Sequence, residues 1–480
     1  MKSFIFCNYT AHMSFPNAFL GNLIKAKRRF PLIPKGCLSE GTLCVGKTSG
    51  NDRYFRGCRV VTFLFSLVFI LIPCTYGQEQ KQEELQALIN EAIQQNPEIA
   101  AEQSRVAMMQ ERIPQAGALA DPEFTFKQME FPGLRFGEAM YQNFELMQMI
   151  MFPTKLSTRK DIASAAVNSA RWGHTAKVVE IAARVRSAYA MLWDARTRLT
   201  INIENRQLLD QILRTAQTQY SVGQASQQDV LKTSVELAKA RSDEAFLHQE
   251  IVGTESMLRA VLNRQQTVTI GLVTIDSLLP IRHSVDALLH YAHVQHPMLS
   301  QDSLSIVEGD LMVSMARQEF LPDFKISVER VTQPMIGMNT WTVMAGITLP
   351  FAPWSLSKAS ARVQEAQADR SMRQSMLQAD RNMVESNIRE SFARVKAYET
   401  QVQSFEQTIL PQSKQSLLSS LGEYQSGRTS YLMLLDAFRM NQDMRMEATM
   451  ARMNYEKEIA NLQRQVGVEN INEIPLEETR

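Results

Sequence analysis

Cysteine is missing from most of this chain. All five cysteines (Cys7, Cys37, Cys44, Cys58 and Cys74) fall in the first 74 of 480 residues. That excludes a structural disulfide, a Cys-ligated zinc site and a thiol nucleophile from everything downstream. An excess of one charge is missing too: 51 Lys+Arg stand against 50 Asp+Glu, so no global basic field argues for nucleic acid. Tryptophan is scarce at 4, and methionine, though plentiful at 26, names no chemistry. No HExxH, no phosphate-cradling Gly loop and no Ser/His/Asp arrangement appears, so neither an enzyme nor a cofactor is expected. What remains is a near-neutral chain with 45% hydrophobic residues, enough for a large folded body.

The N-terminus speaks of compartment. Arg53, Arg56 and Arg59 precede the uncharged run Val60 to Ile72, and Pro73-Cys74-Thr75-Tyr76-Gly77-Gln78 follows. This order of basic, apolar and small residues is that of a secretory signal peptide over 53–77, cleaved after Gly77. A membrane anchor is the alternative, but thirteen residues fall short of the ~20 that a spanning helix needs. Lipidation at Cys74 is another, although Pro73 stands where a small residue is usual. Residues 1–52 have no periodicity and read as a non-native or untranslated extension. Since no Met lies between Met13 and Met108, the true start would be a non-Met codon.

Downstream, the chain repeats itself. Leu85-Gln86-Ala87-Leu88 through Asn96-Pro97 matches Val285-Asp286-Ala287-Leu288 through His296-Pro297 at an offset of 200. Val185-Arg186 and Tyr189 match Ile388-Arg389 and Phe392 at 203, and Tyr220-x-x-Gly223 matches Tyr424-x-x-Gly427 at 204. Two repeats, 78–270 and 271–467, are therefore expected, with 468–480 as a tail. Each reads as a helix, two strands, a very long helix, a Gly turn and a returning helix. In the first repeat these fall at 83–112, 123–131, 141–152, 156–221 and 225–263; in the second, at 284–319, 324–331, 340–351, 355–422 and 429–465. Pro411 should kink the second long helix. Ser226 and Ser430 are placed to cap the returning helices.

The strands alternate. Trp341, Val343, Ile347 and Leu349 share one face, with Thr340, Thr342 and Thr348 on the other, over a length that suits a tilted membrane strand. Trp341, Val343, Ile347 and Leu349 are the expected lipid-facing residues. Open hairpins cannot sit in lipid with unpaired edges, and four strands are too few to close. The chain is therefore expected to oligomerise, with a trimer supplying about twelve strands.

In order and twice over, these features resemble the TolC-like outer-membrane efflux proteins. The carriers are Asn96-Pro97 and His296-Pro297, Asp121-Pro122-Glu123-Phe124 and Leu321-Pro322-Asp323-Phe324, Gly346-Ile347-Thr348-Leu349-Pro350, and the two tip motifs. The tip motifs are Tyr220-x-x-Gly223 with Asp229-Val230-Leu231, and Tyr424-x-x-Gly427 with Leu434-Leu435-Asp436-Ala437. The resemblance implies a mainly α protein with a membrane β-barrel: a homotrimer whose twelve strands close in the outer membrane and whose helices continue as a periplasmic tunnel. It implies a passive exit duct of a tripartite efflux pump, or of type I protein secretion, docked on a periplasmic adaptor and an inner-membrane pump. Tyr220, Gly223, Ser226, Asp229, Tyr424, Gly427 and Ser430 would form the docking tips, and Asp436 and Asp443 would line a tip constriction.

The second repeat carries His290, His293 and His296 where the first has Asn90, Ile93 and Asn96. Spread over about 120° of a helix they make a poor ion site, so no metal is assigned, although Ala116-Gly117-Ala118 and Asp121-Pro122-Glu123 look like the branch exporting heavy-metal cations. The reading from another class is a secreted coiled-coil scaffold or a periplasmic adaptor. An adaptor would show one helical hairpin between β-rich modules, whereas this chain shows two hairpins and a duplicated strand pair.

Overall fold

The computed structural model describes residues 84–475, apart from 131–138, 276, 277, 279 and 335. The expected signal peptide and N-terminal extension lie outside the described residues. The first repeat runs α1 (Leu85–Gln95), α2 (Pro97–Ala116), β1 (Glu123–Met129), β2 (Tyr141–Ile150), α3 (Pro153–Ser221) and α4 (Gln227–Leu262). The second runs α5 (Val285–Gln295), α6 (Pro297–Gln318), β3 (Phe324–Gln333), β4 (Met338–Ile347), α7 (Pro353–Ser404), a π-helical turn at Phe405–Ile409, α8 (Leu410–Gln425) and α9 (Tyr431–Val466).

Prolines punctuate both copies at the same places. Pro97, Pro153, Pro297 and Pro353 each open a helix, where the missing N–H is no loss and the fixed φ suits the first turn. Pro97 and Pro297 also break the single helices expected over 83–112 and 284–319. Asn96 (ψ 126) and His296 (ψ 124) are extended, as the residue before proline is constrained to be, so each segment becomes two helices meeting at a corner.

The helix α3 runs for 69 residues without a break, about 100 Å at 1.5 Å per residue. Its counterpart is interrupted differently from the expected kink. Backbone angles stay helical through the turn at Phe405–Ile409, where the Leu410 N–H reaches back to the Phe405 carbonyl. A π turn accommodates one residue beyond the α-helical spacing, and it sits between the part of the repeat offset by 203 and the part offset by 204. It also widens the helix around Gln407, the carbonyl that the Pro411 ring would crowd in an α-helix.

The strands form one antiparallel sheet in the order β1-β2-β3-β4. They differ from expectation at their ends: β1 stops at Met129, before Glu130 at φ 59, β2 stops at Ile150, β3 extends to Gln333, and β4 stops at Ile347 rather than 351. Leu349 therefore lies beyond the strand in a single chain.

Two apolar cores sit midway along the helices. In one, Leu88, Ile89 and Ala92 of α1 pack on Ile181, Val185, Leu192 and Leu258; in the other, Leu288, Leu289 and Ala292 of α5 pack on Ile388, Val395, Tyr455 and Leu462. The expected tail is part of the second core as far as Ile474. Val468, Ile471 and Ile474 are buried there, and His283 Nε2 lies 2.9 Å from the Ile474 carbonyl oxygen. The repeats are not separate domains; they belong to one compact unit.

Candidate functional site

Residues paired across neighbouring antiparallel strands point to one face, so the register sorts the sheet. One face carries Phe124, Phe126, Phe144, Leu146, Phe324, Ile326, Val328, Trp341, Val343 and Ile347, linked by pairs such as Phe124↔Leu146, Leu146↔Val328 and Val328↔Val343. The other carries Lys127, Asn143, Glu145, Lys325, Ser327, Glu329, Thr340 and Thr342. The apolar face is the exposed one: Val343 is 72% accessible, whereas Ser327 is 1% and Asn143 7%. Asn143 donates to Glu329 at 2.8 Å, and Lys127 pairs with Glu145 at 3.6 Å across this polar face, while the buried Asn143 Oδ1 and Ser327 Oγ have no partner within the single chain. Apolar outside and polar inside reverses a soluble protein and matches a membrane barrel. Ten residues at ~3.3 Å, tilted about 40°, cover the ~25 Å apolar band of such barrels. Exposed aromatics mark both margins, with Trp341 under the Arg330 guanidinium at one and Phe351 and Trp354 at the other.

Where sheet meets helices, the buried Lys155 joins the repeats. Its Nζ donates to Asp323 Oδ1 at 2.8 Å and to the Leu321 carbonyl at 2.9 Å, and the same Asp323 oxygen accepts the Phe152 N–H at 3.0 Å. Thr348 closes the knot: its Oγ1 accepts the Asp323 N–H at 2.7 Å. Periodicity carries no sign of this group, because its members come from three separate segments of the chain.

At the opposite end, both helical hairpins turn alike. Gly223 (φ 74) and Gly427 (φ 70) take the left-handed conformation. Gln224 N–H bonds the Gln219 carbonyl and Gly223 N–H that of Tyr220; Arg428 with Glu423 and Gly427 with Tyr424 repeat the pattern, a Schellman motif at each tip. Beyond the glycines the tips diverge. Ser226 and Asp229 form a full capping box, whereas Ser430 occupies the cap position of α9 without a side-chain cap bond, contrary to the expected equivalence. Tyr220 is 48% exposed, but Tyr424 is buried edge-on to Tyr431 and its backbone carbonyl accepts from Gln219 Nε2 at 2.8 Å. Burial, with Asp229 and Tyr431 nearby, pushes the Tyr424 phenol up to about 12. Thr233 donates to the Tyr431 hydroxyl at 2.8 Å, so the two hairpins are sewn side by side. Asp436 and Asp443 share an exposed face of α9, two turns apart.

The three histidines are not brought together. His290 and His293 are exposed, while His296 is buried at the α5–α6 corner, and burial lowers it to about 4. Among the described residues, no group of three or more His, Cys, Asp or Glu side chains could hold a metal ion. A cavity of about 360 Å³ between the repeats is lined by Arg186, Tyr189, Arg452, Tyr455 and Glu456, among others. Burial raises the Glu456 carboxyl there, against the pull of the two arginines.

Solved outer-membrane channels share this fold, a sheet carried on long paired helices. VceC of Vibrio cholerae is 17% identical with a TM-score of 0.66, covering 80% of this chain and 96% of its own. CusC is 16% identical with a TM-score of 0.68, covering 80% and 92%. The open state of MtrE from Neisseria gonorrhoeae is 15% identical with a TM-score of 0.66, covering 80% and 89%. No curated protein sequence matches the chain. Residues 288–468, most of the second repeat, match the outer membrane efflux protein family.

Proposed function

We propose that this protein is the exit duct of a tripartite efflux pump. Three copies close a twelve-stranded barrel in the outer membrane, their helices continue as a periplasmic tunnel, and small molecules or metal cations pass through it passively. An inner-membrane pump supplies the energy. The observation that carries this reading is the sheet: apolar outside, polar inside, with two unpaired edges, β1 and β4, that lipid does not tolerate. Trp341, Val343, Ile347 and Leu349 face lipid.

The tips dock a periplasmic adaptor. Tyr220, Ser226 and Asp229 offer an accessible surface, Gly223 and Gly427 hold the turns, and Ser430 begins the second returning helix. Tyr424, being buried, acts by keeping the hairpins together. Asp436 and Asp443, one above the other on α9, narrow the passage at the tip. The test is electrophoresis of outer-membrane fractions without boiling, together with drug and metal resistance in a strain lacking the gene. A heat-modifiable trimer that restores resistance supports the duct; a monomer in the soluble periplasmic fraction sinks it.

A further inference from the structure

The seam inside one chain provides the coordinates of the seam between chains. Repeat 1 meets repeat 2 through β2 against β3, and through α3 against α6 and α9. This uses one side of each repeat and leaves β1 on one and β4 on the other open. Because the repeats are copies, β4 is the counterpart of β2 and β1 the counterpart of β3. The open edges are thus the two halves of a joint the chain already makes once, the condition for a head-to-tail ring.

The register follows residue by residue. Glu123-Phe124 corresponds to Asp323-Phe324. Phe124 pairs with Leu146 and Phe324 with Ile347, so Leu146 corresponds to Ile347. Within the chain, Leu146 pairs with Val328, Gln148 with Ile326 and Ile150 with Phe324. Carried over to the open edges, these pairs become Ile347 with Gln128, Leu349 with Phe126, and Phe351 with Phe124 of the next copy. We infer that neighbouring copies join in this register and that β4 runs on to Phe351 when they do, which rests on the trimeric barrel proposed above.

Two independent observations agree with it. Leu349, Phe351, Phe124 and Phe126 are 62%, 63%, 65% and 48% exposed in the single chain, and the register puts all four on the apolar face. Pro350 would forbid a central strand unless its nitrogen faced away from the ladder. Thr348 N–H donates to the Asp323 carbonyl at 2.9 Å, toward β3, so alternate residues Ile347, Leu349 and Phe351 turn their amides to the open edge. Pro350 then falls on the β3 side, past the start of β3 at Phe324, and costs the new ladder no hydrogen bond.

No cysteine follows Cys74, which permits a direct test. Leu349→Cys is combined with Phe126→Cys, and Phe351→Cys with Phe124→Cys, in full-length protein in its own membrane. Facing Cα atoms about 5.5 Å apart lie within disulfide range, whereas positions two residues out of register do not. Boiled, unreduced samples of both pairs should shift from one chain to a ladder ending at three, and reductant should collapse it. The single-cysteine variants, run unboiled, report whether the trimer itself is intact. Cross-linking of Leu349→Cys chiefly with Phe124→Cys or Gln128→Cys would overturn the register. An intact trimer with none of these cross-links would overturn the β4–β1 joint and leave the duct standing. Absence of any trimer in the parent protein would overturn both.

Discussion

The two long rods come from one duplicated unit, yet one is a core element and the other is half bare. Twenty-four side chains of α3 are buried, against seven in α7 and three in α8. The difference is one of position in the fold. α3 packs on its own α2 and α4 and also on α6 and α9 of the other repeat, whereas α7 packs on α5, α6 and α9 of its own repeat and α8 meets the first repeat toward the tip, where Leu417 and Tyr424 join Leu209 and Ile212. Met372, Met376, Met383 and Leu418 lie exposed along the bare rod. Duplication makes two equivalent rods; a single chain provides the second rod's neighbours for only one of them.

The seam that buries α3 is fixed at its membrane end by Lys155 and Asp323, and breaking it gives the largest expected effect. Lys155→Ala removes a buried cation and strands its carboxylate, a change that costs about 3–5 kcal/mol. Ser355, the counterpart on the bare rod at an offset of 200, should tolerate Ala within about 0.5 kcal/mol. Unfolding midpoints of the detergent-solubilised protein read both. Equal losses would mean that the two rods are anchored alike.

The exposed face of β4 sharpens the comparison in the membrane. Val343→Arg should cost about 2–4 kcal/mol near the midplane and reduce assembled trimer on unboiled gels, while Thr342→Arg should assemble. Thr348 is no neutral control, because its hydroxyl holds Asp323. Assembly of the Val343 variant beside failure of the Thr342 variant would turn the sheet inside out.

Much of this fold was legible in the sequence because it rests on periodicity and repetition, which are local. The alternation of Trp341 to Ile347, the Tyr-x-x-Gly tips and the drift of the repeat offset each name an element or its end. The first hairpin was harder to read. Phe144 to Phe152 is nearly all apolar, and only the register separates Phe144 and Leu146 from Asn143, Glu145 and Met147 on the opposite face. Features that depend on which copy lies inside the seam had no local signal. Tyr220 and Tyr424 are identical in motif and opposite in burial, and Ser226 and Ser430 occupy the same place with only one of them capping. The π turn left only the change of offset from 203 to 204.

The tips offer a more modest test. An added Cβ would meet nothing within 4 Å at Gly223 or Gly427, so the cost of Val there is purely that of the left-handed backbone, about 1–2 kcal/mol at each. Both variants should keep the trimer. If adaptor docking uses the exposed tip more than the buried one, Gly223→Val should lose more export and more cross-linking from Ser226 than Gly427→Val loses from Ser430. Equal losses would restore the symmetry of the two hairpins.

The smallest effect at neutral pH, and the most specific to one copy, lies at the helix corners. Asn96 caps α2 by accepting the Glu98 N–H at 2.8 Å and donates to the Val261 carbonyl at 2.8 Å. His296, in the same place, makes no side-chain cap bond, and its buried Nδ1 has no partner. Burial lowers it from 6.5 to about 4, outweighing a hydrogen bond with the Gln465 backbone. Below about pH 6.5 the unfolded chain therefore takes up a proton that the folded chain refuses. Stability is whole above that value and falls as the pH drops toward 4. His296→Asn should gain a cap worth about 1 kcal/mol, partly offset by the void the ring leaves beside Gly467, whose Cβ position lies 3.2 Å from the His296 Cδ2. Its clearer signature is a flatter stability profile between pH 6.5 and 4, followed by denaturant titration at several pH values. Asn96→His should acquire the acid sensitivity that His296→Asn loses. An unchanged slope in both variants would place the acid response elsewhere in the protein.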